Sequence, residues 1–315
     1  MKPMEVSTFG SFMVGGRLEK AVIRTTMSAT EGFPGTIWVD QMYVQFVKPA
    51  KQKFKYPVVF VHGGGCTGKC FETKPDGNEG WANYFVRAGF DTYWVDKPWR
   101  GRSGFNPTAI NRAALEGDAS LIPEIHSPAC TEVLEAGSWG FGTLTTKEDI
   151  LIGIKDTVPD FTLALPGNHG ISAGGPVVDE ALVALLERIG PAILIGHSQG
   201  GGEVFAPLRL RPDLVAAVIG VEPAAPPTDN FEAYVDAPVL CIWAEERNAI
   251  PGAMMSNAEQ DRAMAEGINA AGGHAEVKVL TALGFEGNGH MMLQNSNSDE
   301  IAQLMVDWIT DNANG

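Results

Sequence analysis

Apolar and polar positions change period several times along the chain, and each change marks an element. Between residues 7 and 47 short alternating runs dominate, ending in Ile37-Trp38-Val39 and Met42-Tyr43-Val44-Gln45-Phe46-Val47. Alternation with a period of two predicts half-buried strands, and Gly15-Gly16 predicts a hairpin turn between two of them. From Pro57 the pattern becomes a continuous apolar run, Pro57-Val58-Val59-Phe60-Val61. A strand covered on both faces of a parallel sheet has this character. A glycine-rich loop follows, then a helical pattern over Trp81 to Arg87 stopped by Gly89, then an apolar strand from Phe90 to Val95 closed by Asp96.

The same rhythm returns later. Val177 to Ile189 reads as an amphipathic helix with Pro176 at its first position. Ala192 to Gly196 reads as a strand, Gly200 to Arg209 as a helix and Leu214 to Val221 as a strand. Pro238 to Trp243 and Ala275 to Leu280 read as strands, Ser256 to Ala271 and Asp299 to Thr310 as helices. Strand and helix alternating at this spacing predict an α/β fold: a mostly parallel central sheet with helices on both faces and antiparallel strands at its N-terminal side. Residues 104–175 break the rhythm, with scattered apolar positions and several Gly and Pro. They are expected to form an inserted cap, or lid, over the sheet's carboxyl edge, leaving 1–103 and 176–315 as the core.

Composition narrows the partners. The chain has 315 residues, of which 44% are hydrophobic, so a sizeable core is expected and disorder is not. Its formal net charge is −15, which argues against a nucleic-acid partner and a polybasic membrane contact. No run approaches the length of a membrane span. The segment MKPMEVSTFGSFMVGG lacks an apolar h-region, so no signal peptide is expected in it. Cys66 and Cys70 stand in a C-x₃-C pair with no second pair nearby, so no metal site is expected and a short-loop disulfide is an option. Such a disulfide would suit a periplasmic or secreted protein, whereas the missing h-region suits the cytoplasm. Cys241, in an apolar run, is expected to be an inert core thiol.

Two segments match G-x-S-x-G: Gly170-Ile171-Ser172-Ala173-Gly174 and Gly196-His197-Ser198-Gln199-Gly200. A nucleophile elbow is a strained turn joining a buried strand directly to a helix, with small flanking residues that avoid clashes. Ser198 meets this requirement, because Ala192-Ile193-Leu194-Ile195 runs straight into Gly196 and Gly200-Gly201-Gly202 lets the next helix pack closely. Ser172 does not, because Pro166-Gly167-Asn168-His169 separates it from the preceding apolar run.

With these motifs, residues from about 37 to 312 resemble the α/β-hydrolase family. His62-Gly63-Gly64-Gly65 follows its strand where that family places the oxyanion loop. The resemblance implies that the Gln199 N–H and that of Gly65 or Cys66 meet the charge of a tetrahedral intermediate. Asp96-Lys97-Pro98-Trp99-Arg100-Gly101-Arg102-Ser103 is similar to the family's D-x-x-G-x-G-x-S segment, with Trp99 or Arg100 in place of the first glycine. His62 is expected to organise its loop, and His197 to be structural.

The family's order of serine, acid and histidine places the base after Ser198, where only His274 and His290 occur. His274 opens the last strand at its wrong end. His290 lies in the loop after that strand, from which an imidazole can reach back over the carboxyl edge. The family's usual acid follows the seventh strand, but there Ala244-Glu245-Glu246-Arg247 puts an arginine at the expected aspartate position. Glu222, ending the sixth strand, is similar to the acid of a smaller branch of bacterial serine carboxylesterases. Glu245 and Glu246 stay open as alternatives.

The resemblance thus implies a serine carboxylesterase acting on small-molecule esters through Ser198, His290 and Glu222, with no cofactor. Lactonase, thioesterase or amidase chemistry on the same residues, and a non-catalytic ligand-binding member of the fold, are the rival readings. Trp99, Trp139, Phe141 and Met291 are the expected pocket residues, with Phe161 and Leu163 as further apolar groups of the cap. The N-terminal β arm could pair edge to edge in a homodimer.

Overall fold

The computed structural model describes residues 3–25, 28–122, 151, 154–155, 175–246 and 257–313. Eight strands among them form one sheet: β1 (Val6–Thr25), β2 (Ser28–Pro49), β3 (Val58–Val61), β4 (Thr92–Asp96), β5 (Ala192–His197), β6 (Val215–Val221), β7 (Val239–Trp243) and β8 (Ala275–Val279). Their spatial order is β1-β2-β4-β3-β5-β6-β7-β8. Pairings from β4 through β8 are parallel, and those of β2 with β1 and β4 are antiparallel. The helices are α1 (Trp81–Ala88), α2 (Thr108–Glu116), α3 (Pro176–Ile189), α4 (Gln199–Glu203), α5 (Phe205–Leu210), α6 (Ala258–Ala270) and α7 (Ser298–Asn312).

The continuous apolar runs become strands buried on both faces, because side chains alternate across a strand. Val58, Phe60, Ile193, Ile195, Ile219 and Ile242 join one core layer with Trp81 and Phe85 of α1 and Ile301 and Met305 of α7. Val59, Val61, Leu194, Val218 and Cys241 point the other way, into Leu182 and Leu185 of α3, Leu208 of α5 and Ile268 of α6. Each such side chain, fully buried, stabilises the fold by roughly 1.5–3 kcal/mol relative to exposure. No helix of the described residues is long and apolar enough to cross a membrane.

Two local expectations change. Gly15 and Gly16 do not turn the chain: β1 and β2 pair continuously from Thr8↔Lys48 through Gly15↔Gln41 and Arg17↔Val39 to Arg24↔Gly32. The glycines, at φ 62° and 81°, instead lie inside a long two-stranded ribbon, across from Asp40, itself at φ 65°. A local turn signal is overridden when both flanking segments continue to pair across it. The helix expected over 200–209 is divided into α4 and α5 at Val204.

The ribbon matters for the site. Among the described residues, Tyr43 to Val47 of β2 pair with β4, with Tyr43 opposite Asp96. Because β2 runs antiparallel to β4, its residues before Tyr43 continue past the sheet's carboxyl edge. Of the segment expected to be a cap, α2 packs against this ribbon; residues 123–150 and 156–174 lie outside those described.

Candidate active site

Ser198 sits at the junction of β5 and α4, with φ 55° and ψ −120°. A non-glycine residue held there stores on the order of 1–3 kcal/mol of strain, so its surroundings must over-determine it. They do. The Ser198 N–H donates to the Val221 carbonyl at 2.9 Å, and the Ser198 carbonyl accepts from Ala224 N at 2.8 Å and Gly201 N at 2.9 Å. The glycines around it are required by distance: a Cβ on Gly196 would lie 2.2 Å from the Gly200 carbonyl oxygen, and one on Gly200 would lie 2.4 Å from that of Val61.

One strand over, β6 ends in Glu222, at φ 43°. Its N–H donates to the Ile242 carbonyl at 2.9 Å. Its Oε1 accepts from Ala244 N at 3.0 Å, and its Oε2 lies 2.6 Å from Nδ1 of His290. Both side chains are fully buried. An ionised carboxylate only accepts hydrogen bonds, so Nδ1 carries the ring proton and Nε2 is the basic nitrogen.

Glu245 and Glu246 are exposed, and Glu246 pairs with Arg262. His274 is exposed beside Glu276, with Nε2 3.1 Å from its carboxylate. Arg247 and Ser172 lie outside the described residues.

His290 is held by its loop as well as by Glu222. Asn288 Nδ2 donates to Asn295 Oδ1 at 3.1 Å and to Asn297 Oδ1 at 2.7 Å, and Gly289 N reaches Asn295 Oδ1 at 3.4 Å. His197, the neighbour of Ser198, donates from Nε2 to the His290 carbonyl at 2.8 Å, with the two rings 4.7 Å apart. Burial, and then the His290 ring, push the His197 pKa down to about 3, so it is a neutral strut. The three asparagines went unnoticed in the sequence, although a cluster of Asn flanking His290 is the available signal.

The glycine loop after β3 lies against the elbow. A Cβ on Gly63 would stand 3.0 Å from Ser198 Cβ and 3.0 Å from His197 Nδ1. His62 donates from Nδ1 to the Gly63 carbonyl at 2.8 Å and accepts from Lys97 N at 3.1 Å. Burial, and then Lys97, push its pKa down to about 3, so His62 organises the loop as a neutral ring. Gly65 has φ 68°, and Cys66 N closes a turn onto Gly63 O at 3.4 Å. Cys66, Cys70 and Cys241 are buried free thiols, so the disulfide that the C-x₃-C spacing allows is not formed. Burial, and then hydrogen bonding to Cys66, raise the Cys70 thiol well above its ordinary range.

Asp96 anchors the next loop. It accepts from Gly68 N at 2.8 Å, Arg102 N at 2.8 Å and Arg102 Nε at 2.7 Å. Burial alone would raise its pKa, but the Arg102 bonds outweigh burial and lower it. A cleft beside the elbow is lined by Lys97, Trp99, Arg100, Val178, Gln199 and Glu203, among others.

No family model matches the chain. A curated relative, the "Probable secreted lipase phiG" of Fungal sp. (strain ATCC 74256), is 27% identical over 97% of this chain and 90% of its own length. A solved structure described as a novel bacterial esterase is 30% identical, covers 99% of this chain and 98% of its own, and superposes with a TM-score of 0.86. The chain belongs to the α/β-hydrolase family.

For an α/β-hydrolase, the segment after β4 carries the visible departure. Trp99, at φ 66°, occupies the left-handed conformation that suits the family's first glycine there. Its indole N–H donates to Asp40 Oδ1 at 2.9 Å, and Arg17 Nε bonds Asp40 Oδ2 at 2.9 Å. The other expected pocket residues fare differently. Trp139 and Phe141, like Phe161 and Leu163, lie outside the described residues. Met291 is fully buried in the α1–α7 core layer, so it backs the site and does not line the Trp99 cleft.

Proposed function

We propose that the protein is a serine carboxylesterase that hydrolyses small-molecule esters through an acyl-enzyme formed on Ser198. The observation that carries this reading is the buried 2.6 Å contact of His290 Nδ1 with Glu222, on two loops beside a strained Ser198 turn. The esterase and lipase descriptions of the relatives agree with the broader hydrolase class.

His290 Nε2 takes the Ser198 hydroxyl proton as Oγ attacks the ester carbonyl. The carbonyl oxygen becomes an oxyanion, with the Gln199 N–H and that of Gly65 or Cys66 as its donors. The C–O bond to the alcohol breaks as the imidazolium returns its proton to the leaving oxygen. Water then attacks the acyl-enzyme with His290 again as base, releasing the acid and restoring Ser198. Glu222 holds the ring in the Nδ1–H tautomer and stabilises its charged form. Trp99 walls the substrate cleft.

Mass spectrometry after treatment with an organophosphonate tests this directly. A single adduct on Ser198, lost in Ser198→Ala, is expected, together with hydrolysis of chromogenic esters in preference to matched amides and lactones. An adduct elsewhere, or none, overturns the reading.

A further inference from the structure

Lys97 is a lysine with nowhere to go. It follows β4 directly, and its side chain is 3% exposed. Its Nζ donates to Glu203 Oε2 at 2.8 Å and to Gln199 Oε1 at 2.9 Å. Glu203 is as deeply buried, at 2%. Burial pushes the Lys97 pKa down, and Glu203 opposes it.

A buried ion pair of this kind is a poor stabilising device, because desolvating two charges offsets most of their attraction. Its place in the fold suggests another use. Gln199 and Glu203 are four residues apart, so both side chains project from one face of α4 toward the same ammonium. That helix is only five residues long and contains Gly200, Gly201 and Gly202. Each glycine weakens a helix by roughly 1 kcal/mol relative to alanine. Alanine is excluded at Gly200 by the 2.4 Å approach to the Val61 carbonyl. The turn that must hold the amide of Gln199 is therefore intrinsically weak. The Gln199 side chain also lies against the glycine loop, with Oε1 3.6 Å from the place a Gly64 Cβ would take.

We infer that Lys97 is a positioning residue for catalysis: by clamping Gln199 and Glu203 it fixes the Gln199 amide against the glycine loop, where the oxyanion forms. The ammonium joins three pieces that are far apart in sequence: the end of β4, the first turn after the nucleophile and, through Gln199, the loop after β3. The inference rests on the Ser198 reading and deepens it.

The test compares Lys97→Met, Gln199→Ala, Glu203→Gln and the Lys97→Met/Gln199→Ala double variant with the intact enzyme. The measured quantities are kcat and KM for a chromogenic acetate ester, expressed per Ser198 titrated with phosphonate, so that unfolded protein does not count. Lys97→Met is expected to lower kcat by roughly 10- to 100-fold at little-changed KM, the cost typical of a small misplacement of reacting groups. Gln199→Ala keeps the backbone amide and is expected to lower kcat less. The double variant should be no worse than Lys97→Met alone, because both act through one contact. Unchanged kcat per titrated site, or losses that multiply in the double variant, would overturn the inference. If Lys97→Met does not fold, Gln199→Ala and Glu203→Gln carry the test, and unchanged kcat in both overturns it. A native enzyme that takes no phosphonate at Ser198 sinks the Ser198 reading and this one with it. A native enzyme that labels and turns over beside unaffected variants sinks only this one.

Discussion

Glu222 Oε2 lies 2.6 Å from His290 Nδ1 although 68 residues separate them, and neither side chain reaches solvent. Glu246, the competing carboxylate, instead faces solvent beside Arg262. Glu222→Gln should therefore lower kcat by about 10²–10⁴-fold, since an amide no longer fixes the Nδ1–H tautomer or balances an imidazolium. Glu246→Gln should leave turnover at the native level, because an exposed ion pair contributes little. Steady-state kinetics of the two variants side by side would decide it, and the reverse pattern would reassign the acid.

Gly200→Ala is expected to fail structurally before it fails chemically. Its Cβ would press on the Val61 and His62 carbonyl oxygens at 2.4 and 2.6 Å, and both belong to backbone that cannot swing aside. A loss of about 1–3 kcal/mol or more is expected from such overpacking. Urea unfolding measures it, and a native-like midpoint with native esterase activity would contradict the packing described for the elbow.

Trp99, which lines the cleft, and Asp40 are both non-glycine residues at left-handed φ, joined by the indole hydrogen bond. Trp99→Ala should open the cleft and raise kcat/KM for bulky acyl esters relative to acetates by about tenfold, a typical scale for apolar pocket contacts. Asp40→Ala should shift the same ratio in the same direction by less, because the ring loses its anchor but remains. A ratio that neither variant alters would remove Trp99 from the substrate wall.

Asp261 supplies a pH dependence of stability. It is fully buried and accepts from Trp243 Nε1 at 2.7 Å. Burial pushes its pKa up to about 7; bonds from Trp243 and Cys241 pull it down, and the nearby Glu222 raises it. Below pH ~4 both the folded and unfolded chains hold the proton, so Asp261 makes no difference. Between about 4 and 7 the unfolded chain releases its proton first, so stability falls as pH rises, and above about 7 the full penalty is present. Asp261→Asn keeps an acceptor for the indole and removes the charge. Its melting temperature should match the native one near pH 4 and exceed it near pH 8, by up to roughly 3–4 kcal/mol of stability. Parallel melting curves across that range would refute the assignment.

Most strands and helices were legible because burial on both faces leaves an unmistakable mark. Val58 to Val61 and Ala192 to Ile195 read as apolar runs, and they are the central strands β3 and β5. The Ser198 turn was legible for a related reason. Close backbone approach demands glycine, and glycine at 196 and 200 is visible in a sequence. Gly15-Gly16 misled because a pair of glycines looks alike whether it reverses a chain or lies within a continuing ribbon. Only the partner strand, running on to Gly32 opposite Arg24, decides which.

Side-chain partnerships were harder to read. Nothing local distinguishes Lys97 from a solvated lysine; its burial follows from where β4 ends relative to α4. The exchange of a glycine for Trp99 was visible as a departure, but its tie to Asp40 depends on a ribbon that overshoots the sheet. By itself, then, the sequence determined the alternating α/β layers, the strand-to-helix turn at Ser198 and the short set of candidate acids and bases, because period and glycine placement are local properties. The tertiary structure alone decided which carboxylate meets His290, which lysine is enclosed and which aromatic ring is anchored beside the elbow. Those choices depend on the order in which parallel strands lie side by side, and that order brings together loops that are far apart along the chain.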